Sequence, residues 1–105
     1  MAIRRLIFLN KPQIKAFCRN LLKTGKKQHW ERIKSKCLVL QNNFETQIDI
    51  KIEQEGFPPL YSTWISGTVL NGMQPYQGYR VYFTANEKNV FIIDIRDALI
   101  EVTSD

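Results

Sequence analysis

Lys11, Lys15, Arg19 and Lys23 recur at every fourth residue, and Lys26, Lys27, Arg32 and Lys34 continue the run of cations. Side chains four apart share one side of a helix, so this spacing lays a row of positive charge along a helical face. Such a row attracts polyanions: the phosphates of RNA or DNA, or an acidic protein partner. Lys26 and Lys27 follow a glycine, where a second helix is expected to begin. A helix N-terminus already carries about half a positive charge. Lysines there are unfavourable alone and become favourable once a phosphate joins them and the free N–H groups.

The charge is divided along the chain. Residues 1–36 hold eleven Lys and Arg against one acid, Glu31, while residues 37–105 hold four against nine. The net +5 of the 105-residue chain is therefore +10 in the first part and −5 in the second. A split this sharp predicts one face that meets an anion and another that does not.

Other reactive types are sparse. His29 is the single histidine. It is suited to proton transfer near neutral pH, but with no obvious carboxylate or nucleophile partner it is expected at the surface beside the basic turn. Trp30 is expected in the core, with stacking on a base as the alternative. Cys18 and Cys37 form no CxxC pair, and with one histidine they cannot complete a four-ligand zinc site. They are expected as reduced, buried thiols on either side of the turn, placed so that they can face each other, with a disulfide as the alternative in an exported or oxidised protein. Asp49 and Glu53 share a strand face and are the candidates for paired carboxylates, yet their spacing matches no metal motif. No metal or other cofactor is expected. There is no phosphate-loop, dinucleotide or nucleophile-elbow motif.

The elements that must position these residues follow from periodicity. IRRLIFL (3–9) reads as a strand. Asn10 is expected to cap the next helix, with Gln13 in a loose capping box and Pro12 in the first turn. Ile14, Phe17, Cys18, Leu21 and Leu22 form the apolar face of that helix, and Gly25 ends it. A second helix over about 28–42 carries Trp30, Ile33, Cys37 and Leu40 on its apolar face, with Phe44 continuing it. So short a turn makes the helices antiparallel neighbours.

From Thr46 the period changes to two. TQIDIKIE alternates Ile48, Ile50 and Ile52 inward with polar residues outward. EGFPPL is a loop, STWISGTVL a strand with a bulge or close approach at Gly67, and NGMQPYQG a connector. GYRVYFT and NVFIIDI are strands joined through ANEKN, and LIEV adds a short last strand. In GYRVYFT, Tyr79, Val81 and Phe83 share one face, and Arg80, Tyr82 and Thr84 the other. The expected fold is α+β in a single domain, 1–105: an N-terminal strand and helical hairpin packed on a four- to five-stranded antiparallel sheet. The alternative is a hairpin docked on a small β-barrel. No run approaches the roughly 18 apolar residues of a membrane helix, and MAIRRLIFLN is too short for a secretory core. A cytoplasmic protein with no membrane partner is expected.

This order of elements resembles the RelE/ParE-type toxins of bacterial toxin–antitoxin pairs. GYRVYFTANEKNVFIIDI is similar to their closing arginine-bearing strand, tight turn and apolar strand. KPQIKAFCRNLL followed by HWERIKSKCLVL is similar to their helical pair. The resemblance implies a ribonuclease, with Arg80 on the matching strand position and His29 and Tyr82 as the remaining catalytic candidates. The charge map points first to a different reading. It describes a small basic binding protein, not an enzyme, that engages nucleic acid or a nucleic-acid machine as phage or plasmid accessory proteins do. An adaptor or inhibitor docking on an acidic protein is the third possibility.

Overall fold

The computed structural model describes residues 3–47, 49–66 and 76–100. Their order is β1 (Arg5–Phe8), α1 (Lys11–Lys23), α2 (Lys27–Asn43), a 3-10 turn (Phe44–Thr46), β2 (Ile50–Gln54), β3 (Leu60–Ser66), β4 (Tyr76–Ala85) and β5 (Asn89–Ile100). The five strands form one sheet in the order β1-β5-β4-β3-β2, with both helices on one face. The α+β architecture read from the sequence holds.

One strand departs from the expected pairing. β1 lies in the sheet parallel to β5, from Arg5 opposite Asn89 to Phe8 opposite Ile92, whereas the other three pairings are antiparallel. A parallel neighbour needs a long crossover, and the helices with the three intervening strands supply it. The sheet is thus mixed, and it is open: β1 and β2 are its two edges, so the barrel alternative does not apply.

The core lies between the helices and the sheet. Ile33 and Leu40 of α2 are fully buried against Tyr79, Val81 and Phe83 of β4 and Ile92 of β5. Each such side chain contributes about 1.5–3 kcal/mol by leaving water. Tyr61 stacks on Phe83 at 5.3 Å, and Phe44 meets Phe83 edge-on at 5.4 Å, so the 3-10 turn extends the apolar face of α2 as anticipated. Arg4 ties three elements together at the sheet's edge. It pairs with Glu45 at 2.6 and 3.2 Å, donates from Nε to the Asn86 carbonyl, and lies 5.0 Å from the Phe44 ring centre.

Several local expectations shift. Residues 44–46 form the 3-10 turn and β2 starts only at Ile50. Ile52 is half exposed, because an edge strand that runs past the helices has nothing to cover its inner face. Leu22, at the margin of the α1 stripe, is also half exposed. The last strand is no separate element, since β5 runs on to Ile100. Ile48, Gly67, the connector at 71–75 and residues 101–102 lie outside the described residues. No helix among the described residues is long and apolar enough to cross a membrane.

Candidate nucleic-acid interface

The start of α1 is fixed to the sheet. Asn10 does not cap the helix. Its Nδ2 donates to the Ile93 carbonyl at 2.8 Å, and the Leu9 N–H donates to the Ile92 carbonyl at 2.9 Å. The side chain is spent on β5, which sets where Lys11 begins. The end of α1 is equally defined. The Lys26 N–H donates to the Leu21 carbonyl and the Gly25 N–H to the Leu22 carbonyl, a Schellman closure. Gly25 takes φ of 76°, a left-handed conformation that glycine adopts without strain. Lys26 therefore closes α1 and opens α2 at once. Neither helix has an acid in its first turn or a side chain capping it.

On this frame Lys11, Lys15, Arg19 and Lys23 are all exposed, as are Lys27, Arg32 and Lys34, while Lys26 is half-buried. Lys11, Lys15 and Arg19 rim an open groove of about 440 Å³ whose walls are Phe8, Ile14, Cys18 and Trp30. Lys23 lines a neighbouring depression with Arg19 and Leu22. Four residues overshoot a full helical turn by about 40°, so the row winds around α1 and its last member leaves the groove. Trp30 packs against the core and is only half-buried. It serves the core expected of it and also walls the groove.

Five other cations are paired with acids. Arg4 pairs with Glu45, Lys34 with Glu31, Lys36 with Asp49, Lys51 with Glu53 and Arg96 with Asp94. Lys11, Lys15, Arg19, Lys23, Lys26 and Lys27 have no acidic partner among the described residues. Glu45, Asp49 and Glu53 have lowered pKa values. For Glu45 the Arg4 hydrogen bond is the main cause. At Asp49 burial pushes the carboxyl up, but hydrogen bonding and the charge of Lys36 outweigh it. Asp49 and Glu53, the candidate metal pair, are thus engaged separately, Asp49 with Lys36 and Thr63, Glu53 with Ser62 and Lys51. Among the described residues no group of three or more His, Cys, Asp or Glu is placed to hold a metal.

His29 is not at the surface. It is 7% exposed, and its Nδ1 shares a hydrogen bond of 2.5 Å with the hydroxyl of Tyr79, which is fully buried. Burial, then the charges of Lys26 and Arg32, lower the His29 pKa and keep the ring neutral. Burial and the charge of Asp97 raise that of Tyr79. The sequence carried this signal: His29, Ile33 and Cys37 are spaced by four, which puts the histidine in the same buried stripe. The two cysteines are free, Cys37 buried and Cys18 partly exposed in the groove.

Arg80 and Tyr82 lie on the opposite face of the sheet from Tyr79, as strand alternation requires. Arg80 donates to Ser62 Oγ at 3.0 Å, and Ser62 donates to Glu53 at 2.6 Å. Tyr82 lies under the Arg96 guanidinium at 5.4 Å. His29 is on the helix side, so the sheet stands between it and the other two. Compared with known proteins, the chain matches no family, no curated protein and no solved structure. The resemblance to RelE/ParE-type toxins rests on residue pattern and element order alone. Sequence reasoning missed Phe8 as a groove wall and Arg4 and Ser62 as binders of charge; none belongs to a periodic pattern.

Proposed function

We propose that the protein is a small basic binding or regulatory protein, acting in the cytoplasm, that engages nucleic acid through its helical hairpin. One observation carries this reading. Six cations without an acidic partner among the described residues, Lys11, Lys15, Arg19, Lys23, Lys26 and Lys27, lie together on α1 and the turn, and the five acid-paired cations lie elsewhere. Self-repulsion makes such a row costly in isolation, and a phosphate backbone neutralises it with release of counterions. Lys26 and Lys27 add to it at the start of α2, whose first N–H groups have no side-chain cap.

The ribonuclease reading has weaker support, since Arg80, Tyr82 and His29 do not share a site and Arg80 is already bonded to Ser62. The test is the salt dependence of binding to labelled RNA and DNA, single- and double-stranded. The four α1 cations with Lys26 and Lys27 predict a log–log slope of about −4 to −5, and Lys15→Glu/Arg19→Glu should flatten it by about 1.5. Lys26→Glu/Lys27→Glu should flatten it again. Absence of binding at low salt refutes the proposal and directs attention to an acidic protein partner.

A further inference from the structure

We infer that the groove between β1, α1 and α2 receives a nucleobase, so that the basic row selects single-stranded over duplex nucleic acid. The inference rests on the phosphate-binding reading above and goes beyond it. Lys11, Lys15 and Arg19 stand along one rim, each about 6 Å further along the helix axis than the last. That step is comparable with the separation of neighbouring phosphates on one extended strand. Phe8 and Trp30 line the same groove as aromatic surface, with Ile14 and Cys18 as its other apolar lining. A half-exposed tryptophan in an apolar groove is surface that a flat, apolar ligand covers well, and base–aromatic stacking tolerates any base. An amphiphile with a single carboxylate engages one cation and leaves the others idle. A polymer with one charge and one flat ring per repeat engages the whole rim. A duplex keeps its bases stacked inside and cannot deliver one to the groove without extruding it.

Binding of oligo(dT), a fully abasic strand of the same length and a matching duplex tests this in a Trp64→Phe background, where Trp30 is the one remaining tryptophan. The base-bearing strand should quench Trp30 fluorescence and slow alkylation of Cys18. It should bind about 5- to 100-fold tighter than the abasic strand. Cys18→Phe, which fills the groove and leaves Trp30 in place, should abolish that advantage while the salt slope persists. Equal affinity for all three probes with unchanged Trp30 emission overturns the base pocket and leaves the phosphate reading standing. Failure of every probe to bind overturns both. Quenching of Trp30 by polyglutamate instead of oligo(dT) assigns the groove to an acidic protein segment and also overturns the inference.

Discussion

Tyr79→Phe is the sharpest test of the packing beneath the basic turn. The substitution keeps the ring and deletes one hydroxyl. His29 Nδ1 then loses the Tyr79 hydroxyl at 2.5 Å, at a place where the tyrosine is fully buried and the histidine 7% exposed. A buried polar group left unsatisfied costs about 1–3 kcal/mol. No cavity larger than an oxygen is made, and His29 keeps a narrow edge toward solvent, so the lower part of that range, about 1–2 kcal/mol, applies. For a domain of this size the melting temperature should fall by about 4–10 °C. Circular dichroism melts of Tyr79→Phe, His29→Gln and the double variant make a thermodynamic cycle, and the coupling should approach the single-variant cost. The pH dependence supplies a second reading. His29 has a folded pKa below its ordinary 6.5, so the unfolded chain binds the proton more readily. Its contribution to stability is therefore complete above 6.5 and is lost as the pH falls through the lower folded value. With no other histidine in the chain, His29→Gln should remove the histidine-dependent loss of stability that sets in below pH 6.5. A Tyr79→Phe variant as stable as wild type, or a His29→Gln variant that keeps that loss, refutes the buried-pair account.

Arg4→Ala should cost about 1–2 kcal/mol in urea unfolding, reduced from the usual worth of charged hydrogen bonds because Glu45 is half exposed. The pair's contribution is present above the ordinary Glu value of 4.5 and is lost as the pH falls through the lowered value in the fold, so Glu45→Gln should blunt acid unfolding. At Gly78 an added Cβ meets the Trp64 ring at 2.1 Å and the Ile65 carbonyl at 2.8 Å. Gly78→Ala should destabilise by about 1–3 kcal/mol and shift Trp64 emission; an unaltered spectrum and melt contradict that contact. Burial pushes the Cys37 thiol up to about 12, so native alkylation followed by mass spectrometry should show one adduct, on Cys18, and a second only after denaturation.

Much of the fold was legible because periodicity is local. The α1 and α2 stripes and the alternation of Tyr79, Val81 and Phe83 each follow from a few neighbouring residues. The place of β1 was not legible, because Arg5 finds Asn89 only through the tertiary fold. Ile52 misled for a related reason: alternation marks which residues share a face, and only the assembled layers show whether that face is covered. The basic row was evident from spacing, but its isolation was not. That depends on which acids reach which cations, and Lys36 with Asp49 or Arg4 with Glu45 meet only across elements. The groove was hidden because its four walls come from three elements.

The parallel docking of β1 on β5 also orders events during synthesis. Leu6 and Phe8 leave the ribosome well before their neighbours Val90 and Ile92, which follow only after the whole intervening chain. Loop closure over that span is slow relative to helix formation. The α1–α2 hairpin can therefore display its cations while Phe8, one wall of the groove, has no strand to lie against. A nascent chain has its charge before it has its shape. On the functional reading above, general attraction to polyanions comes first, and discrimination among them arrives only when the last strand closes the sheet.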